Sequence, residues 1–215
     1  MTKFIIFANG EMTPPTEYSL PRDSIIVCAD GGTRHALAQG ITPHTIIGDL
    51  DSLSAETVAQ MRAAGVEIIE HPVKKDETDL ELALSLAITR GATEITLLGM
   101  LGGRLDQHLA NLMLLTRPEW AQARLRLADG NQRAWLLRGS DRVTLHGSPG
   151  DTLSVVVMSE RITGLTITGA EWTLTGAKIP RGSTRTISNT FVEDTITVQL
   201  ETGVALVVVI HTRKK

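Results

Sequence analysis

Ile46-Ile47-Gly48-Asp49-Leu50-Asp51-Ser52 is the stretch on which the reading of this chain turns. Two aliphatic residues read as the end of a buried strand. The glycine lets the backbone turn sharply or approach a ligand closely. Asp49 and Asp51 then fall just beyond the strand's carboxyl end, where α/β sheets place their ligands. Two like charges at i and i+2 repel unless a proton or cation intervenes. A hard cation with oxygen ligands, most simply Mg²⁺ carrying phosphate, suits them. The competing reading is a solvated Asp-rich turn, with Ser52 or Ser54 capping the next helix.

Working outward, strands and helices alternate on both sides of this stretch. Phe4–Ala8 and Ser24–Ala29 read as apolar strands, the second running into Asp30-Gly31-Gly32 and a helix over Thr33–Gln39. Residues 11–23 hold three prolines and read as a loop or a short irregular helix. Ser54–Ala64 is an amphipathic helix with Val58 and Met61 inward, followed by a strand over Val66–Glu70. Thr78 and Glu81 have capping-box spacing, which puts Asp79 in a first helical turn. Leu80, Ala83, Leu84 and Ala87 make that helix's buried face. Glu94–Leu98 is a further strand, a helix covers about Asp106–Leu115, and Arg124–Ala128 is expected as the sheet's last strand. Such alternation predicts a mostly parallel sheet flanked by helices, the α/β class.

After Asp129-Gly130-Asn131 the texture changes to short runs rich in Val, Thr, Ile and Gly, with Glu201-Thr202-Gly203 read as a hairpin turn. An all-β sandwich or barrel is expected here. The expected division is an α/β domain over residues 1–129 and a β-sandwich domain over residues 130–215.

A net charge of -3 supplies no basic field to recruit nucleic acid or an acidic membrane surface. The single cysteine, Cys28, excludes a disulfide framework within one chain and fits a reducing cytoplasm. No apolar stretch is long enough to span a bilayer as a helix, and the amino-terminal run lacks a signal peptide's pattern. Arg213-Lys214-Lys215 reads as a solvated tail.

Four charged clusters fall at strand ends of the first half: Asp30 with Gly31-Gly32, Asp49 with Asp51, Lys75 with Asp79, and Arg104 with Asp106. Singly each is an ordinary turn, helix-dipole or surface-pair residue. In a parallel sheet, however, these ends open on one edge, so the groups converge in one crevice. Carboxylates hold Mg²⁺, Lys and Arg neutralise phosphate, and glycine-rich turns offer backbone N–H groups. That set suits phosphoryl or diphosphoryl transfer. Neither a G-x-x-x-x-G-K-[ST] nor a G-x-G-x-x-G motif is present. His35, His44, His71, His146 and His211 show no metal-ligand spacing.

Cys28-Ala29-Asp30-Gly31-Gly32, Gly48-Asp49-Leu50-Asp51-Ser52, Lys75-Asp76-Glu77-Thr78-Asp79, and Gly102-Gly103-Arg104-Leu105-Asp106 with Leu109-Ala110-Asn111 resemble thiamine pyrophosphokinases. Trp172-Thr173-Leu174 and Gly182–Asn189 are similar to that family's substrate-side motifs. The resemblance implies diphosphate transfer from ATP to thiamine's hydroxyl, giving thiamine diphosphate and AMP. It implies Asp49, Asp51 and Asp79 on Mg²⁺ and the ATP phosphates, with Arg104 and Asp106 completing the catalytic set. Asp30, Gly31, Gly32, Lys75, Thr78 and Asn111 would serve ATP. Trp172, Ser188 and Asn189 would serve thiamine, across a homodimer whose active sites lie between subunits. A cationic thiazolium suits an indole face, an attraction worth roughly 0.5–2 kcal/mol. The family usually reads Asp-His after Gly-Gly-Arg-x, whereas here Asp106-Gln107-His108 displaces the histidine by about 100° around a helix. His108 is accordingly left out of the catalytic set. Two rival readings use the same residues: diphosphorylation of another hydroxymethyl heterocycle such as a pterin, and a non-catalytic nucleotide-binding regulator.

Overall fold

The computed structural model describes residues 1–14, 21 and 23–212. Most of the proline-bearing segment expected as a loop, and the basic end Arg213-Lys214-Lys215, lie outside the described residues. The chain divides into two compact units, Met1–Leu125 and Arg126–Lys215.

The first unit carries strands β1 (Lys3–Phe7), β2 (Ile25–Ala29), β3 (Thr45–Gly48), β4 (Glu67–Glu70) and β5 (Glu94–Leu98). They pair in parallel in the order β4-β3-β2-β1-β5. Phe4, Ile5, Ile6 and Phe7 are all buried, as a parallel strand covered on both faces requires. Four helices flank the sheet: α1 (Gly32–Ala38), α2 (Ala55–Ala63), α3 (Asp79–Thr89) and α4 (Leu105–Leu114). Ser54 caps α2 by accepting from the Thr57 N–H at 3.1 Å. Thr78 caps α3 by accepting from the Glu81 N–H at 3.2 Å. The reciprocal half of that capping box is not made, because Arg117 takes the Glu81 carboxylate. The buried residues of α3 are Leu80, Ala83, Leu84 and Ala87, the apolar spacing read from the sequence. Successive strands run outward from β1 to β4 while β5 lies on the other side of β1. The strand order therefore reverses at β1, the kind of point at which a crevice forms.

The second unit is antiparallel. β6 (Arg124–Asp129) pairs with β7 (Gln132–Arg138) in antiparallel register from Arg126↔Trp135 to Asp129↔Gln132. Arg124–Ala128 is a strand of the sheet that holds β5, as expected, β6 following β5 in the strand order, and it turns back antiparallel into β7. A two-residue turn can return a chain only antiparallel; a parallel partner needs a long crossover. β7 continues to β14 (Val204–Ile210), β9 (Thr152–Val157) and β12 (Asn189–Thr190). A second sheet holds β11 (Leu174–Pro180), β10 (Arg161–Thr168), β13 (Thr195–Gln199) and β8 (Arg142–His146), in that order. Leu153, Val155, Ile162, Leu165, Val198 and Val207 are among the residues of the core that the two sheets share. Glu201-Thr202-Gly203 does not close a hairpin, since β13 and β14 belong to different sheets and the turn carries the chain between them. β11 escaped the sequence reading because Gly176 breaks its pattern and it ends in Pro180, features tolerated at a sheet edge.

Candidate active site

Parallel pairing turns the carboxyl ends of β1, β2, β3 and β5 toward one edge, and a hollow of about 640 Å³ opens there. Gly48 ends β3 with φ 146°, and a Cβ at that position would stand 3.0 Å from both the Asp30 Cβ and the Asp79 Oδ1. Only glycine lets the three acidic segments approach so closely. One carboxylate oxygen from each of Asp30, Asp49 and Asp51 lies within 4.8 Å of the others. Asp30 is 2% exposed, and its Oδ1 is buried with no hydrogen-bond partner among the described residues. A buried anionic oxygen without a donor is costly, and a hard cation would relieve it.

The backbone here is held in strained conformations. Asp30 (φ 43°), Leu50 (φ 63°) and Ser188 (φ 60°) are the non-glycine residues with left-handed backbone among the described residues. Such conformations cost about 1–3 kcal/mol each and persist where surrounding structure imposes them. Leu50 separates Asp49 from Asp51, and the Asp51 N–H turns back to the Asp49 Oδ1 at 3.3 Å.

Lys75 Nζ sits 3.1 Å from the Asp49 Oδ2 and 3.1 Å from the Asp79 Oδ1. At Asp49 burial pushes the pKa up, but Lys75 and the Asp51 N–H outweigh it and hold the carboxyl below its usual range. At Asp79 burial dominates, with Asp49 and Asp30 adding to it, and the pKa rises despite Lys75. Lys75 itself is pushed down by burial and more strongly up by Asp79 and Asp49, so it stays charged. Two carboxylates of one cluster thus differ in proton affinity: donors hold Asp49 down, while burial and the neighbouring Asp49 and Asp30 raise Asp79.

The second unit holds a smaller hollow of about 400 Å³, with Trp172, Arg185, Ile187 and Asn189 on its wall. Trp172 is 58% exposed, so it is not a residue of the sandwich core.

Residues 16–127 match the family model described as thiamin pyrophosphokinase, catalytic domain, and residues 142–205 match thiamin pyrophosphokinase, vitamin B1 binding domain. The chain belongs to the thiamine pyrophosphokinase family. A thiamine pyrophosphokinase of Bacillus subtilis is 29% identical over 179 residues, covering 83% of this chain and 84% of that one. A crystal structure of a B. subtilis thiamine pyrophosphokinase matches with TM-score 0.85 at 27% identity, covering 98% of this chain and 99% of that one. Another, from Geobacillus thermodenitrificans, gives TM-score 0.82 at 28% identity over 100% and 99%. The expected α/β unit joined to a β-rich unit is therefore the fold of the family, and the protein is an enzyme of the thiamine diphosphokinase kind.

Within this thiamine pyrophosphokinase fold, the hollow of the first unit gathers most of the charged residues singled out in the sequence. Asp30, Asp49, Asp51, Lys75 and Asp79 line it, as do Thr78, Arg104 and Asn111. Asp106 does not line it. That carboxylate binds Arg104, at 3.1 Å to Nε and 2.6 Å to an Nη, and the guanidinium holds its pKa down. Gly31 and Gly32 are fixed by packing: a Cβ at Gly32 would fall 2.0 Å from the Phe7 carbonyl oxygen, and one at Gly31 would fall 2.3 Å from the Asn9 Oδ1. Asn111 donates to the Met100 carbonyl at 3.1 Å, so it ties α4 to the glycine-rich loop. The displaced His108 turns to the same loop, its Nδ1 accepting from the Gly102 N–H at 3.3 Å, while Gln107 lines the hollow instead.

Asn9 was missed by sequence reasoning. It lines the hollow at the end of β1 and ties that end to α1 and to the turn after β3. Arg34 donates to its Oδ1 at 2.8 Å, its Nδ2 donates to the Ser52 Oγ at 3.1 Å, and that hydroxyl donates to the Asp51 Oδ1 at 3.2 Å. Its place at the end of the strand where the order reverses is the signal that could have found it.

Proposed function

We propose that this enzyme transfers diphosphate from ATP to the hydroxyl of thiamine in a Mg²⁺-dependent reaction that yields thiamine diphosphate and AMP. The observation that carries this reading is the close trio Asp30, Asp49 and Asp51, with a buried oxygen lacking a donor, beside Lys75 at the sheet's carboxyl edge. All-oxygen ligands of this kind fit Mg²⁺, which retains waters and binds through a few carboxylates plus substrate phosphates. Asp49 and Asp51 would hold it with Asp30 as the third ligand, and Asp79 stands next to them through Lys75. When bound, the metal supplies positive charge to the phosphate oxygens.

The hydroxyl oxygen of thiamine forms a bond to the β-phosphorus of ATP. The bond from that phosphorus to the oxygen bridging the α-phosphate breaks, and AMP leaves with that oxygen. The hydroxyl proton passes to a carboxylate oxygen of Asp79. Burial raises the proton affinity of Asp79, whereas Arg104 lowers that of Asp106, which favours Asp79 as acceptor. Lys75 and Arg104 orient and neutralise the phosphate chain. Trp172 and Ser188 form the thiamine face, with Asn189 behind them, and the exposed indole offers its π-surface to the cationic thiazolium.

A homodimer is part of the same reading. Helix α4 buries none of its residues, and it presents Leu105, Leu109 and Met113 at 72%, 53% and 51% exposure with i, i+4, i+8 spacing. A second copy covering that stripe would remove it from water and bring its own thiamine face to the nucleotide site. The free, buried Cys28 fits work in the cytoplasm.

Incubating the protein with ATP, Mg²⁺ and thiamine while following AMP and thiamine diphosphate tests the reaction. Equal formation of both, abolished by a chelator, is expected. ADP with thiamine monophosphate would overturn diphosphate transfer, and turnover of a pterin in place of thiamine would overturn the acceptor.

A further inference from the structure

Asn189 lines the hollow that Trp172 borders, yet it is only 7% exposed, and its amide is engaged at both oxygen and nitrogen. The Oδ1 accepts from the Trp172 N–H at 3.0 Å and from the Thr190 N–H at 2.8 Å. The Nδ2 donates to the Trp172 carbonyl at 2.8 Å. One side chain thus satisfies both polar groups of the Trp172 backbone, as a neighbouring strand would. The main chain prepares this arrangement. Asn189 and Thr190 pair with β9, Ala170 bridges to Phe191, and the Glu171 N–H donates to the Thr190 carbonyl at 2.9 Å. The amide extends that ladder by one residue, at the position where the chain presents its exposed indole.

We propose that Asn189 is a positioning residue, which sets the affinity for the thiazolium by clamping the backbone of Trp172 rather than by touching thiamine. This rests on the reading of Trp172 as part of the thiamine face. With the amide N and carbonyl O of Trp172 both fixed, the stem of the indole has one direction, so little ordering is left for substrate binding to bring about. The geometry divides the Ser188-Asn189 pair between two tasks. Ser188, exposed and left-handed, faces outward, while Asn189 faces back into the fold.

Asn189→Asp is the nearest isostere that breaks the clamp, since it replaces the donor to the Trp172 carbonyl with a second acceptor. In the full-length protein, this substitution is expected to raise the thiamine KM by roughly three- to tenfold, the equivalent of one hydrogen bond. The ATP KM and kcat are expected to stay within about twofold of the parent. In a Trp172→Ala background the same substitution is expected to have no further effect on the thiamine KM, because the two act as one unit. An equal rise in both backgrounds would overturn the inference and put Asn189 on thiamine directly. An unchanged thiamine KM in Asn189→Asp, alongside a raised one in Trp172→Ala, would overturn the clamp and leave the thiamine face standing. An unchanged KM in Trp172→Ala would overturn the thiamine face itself. Hydrogen exchange of the Trp172 amide in the unmodified protein needs no variant to fold. Slow exchange despite the exposed side chain is expected, and exchange at the rate of an open loop would overturn the clamp.

Discussion

Asp30 and Asp151 are equally buried aspartates, each 2% exposed, and they are treated in opposite ways. In the second unit, Asp151 accepts from the Ser148 N–H at 3.0 Å, His211 Nδ1 at 2.8 Å, and both the N–H and hydroxyl of Thr212 at 2.7 Å. It pins the end of β14 to the turn before β9, and every acceptor position has a use. In the first unit, Asp30 keeps a buried oxygen without a donor among the described residues, next to two more carboxylates and on a left-handed backbone. A buried charge with all its partners belongs to the fold. One without partners is a cost the fold carries for a ligand.

The comparison breaks most sharply at Asp30. Asp30→Asn removes the uncompensated charge and keeps the shape. Turnover is expected to fall by at least about a hundredfold, the upper range for losing even an outer-shell group at a metal site. The metal-free protein is expected to gain about 1 kcal/mol in stability, as is common when a strained site is relaxed. The melting shift on adding Mg²⁺ should shrink with the lost affinity. Thermal melts with and without Mg²⁺ read both effects, and a variant that melts lower without metal would remove Asp30 from the ligand site. Asp51→Asn is expected to lose turnover similarly, with less change in metal-free stability, because Asp51 is exposed.

Asp151→Asn should do the reverse. Burial works to raise the Asp151 pKa, but the bonds from Thr212, His211 and Ser148 prevail and bring it from 3.8 to about 2. A group whose pKa is depressed on folding contributes stability above its unfolded value and loses it as pH falls toward the folded one. Asp151 therefore supports the fold fully above about pH 4 and ceases to do so near pH 2, a contribution of about 2 kcal/mol. Asp151→Asn is expected to lower stability by about that amount at neutral pH, and to flatten the loss of stability between pH 4 and pH 2. Denaturant melts at several pH values check this. An unchanged acid limb would mean that the bonds are not specific to the charged form.

The difference between the two aspartates was only partly legible in the sequence. Periodicity identified α3 and its buried Leu80, Ala83, Leu84 and Ala87, because burial on one helical face repeats at a fixed spacing. Strand ends located the acidic clusters, because parallel pairing brings those ends to one edge. Which oxygens meet was not legible. The sequence reading grouped Asp79 with Asp49 and Asp51, whereas the trio contains Asp30, and Asp79 is reached through Lys75. Distances below 5 Å depend on Gly48 and on the left-handed turn at Leu50, and no pattern of residue types encodes that turn. Asn9, and the hold that Asn189 has on the Trp172 backbone, were hidden for a related reason. An asparagine beside a turn reads as a turn residue, and only the fold shows whose backbone or hydroxyl its amide meets. The network on Asp151 joins residues 60 and 61 positions apart, beyond the reach of any local pattern.

Strain offers the finest test of the comparison, and Ser188 is the cleanest place to apply it. It shares left-handed backbone with Asp30 and Leu50, but it is exposed, and its N–H donates to the Ser154 Oγ at 3.0 Å, a bond that any residue keeps. Glycine adopts φ 60° without the steric cost that an L side chain meets there. Against that, glycine has more freedom to lose on folding, about 0.4–1 kcal/mol. Ser188→Gly is therefore expected to gain up to about 1 kcal/mol of stability while the thiamine KM rises and the ATP KM stays unchanged. A gain in stability with loss of thiamine affinity would place the second unit's substrate face in the same class as Asp30, where the fold holds an unfavourable arrangement for a ligand. If the variant gains stability and keeps its thiamine KM, the left-handed serine is only a turn. The unpartnered carboxylate would then be the feature that separates the two regions, with backbone strain incidental to it.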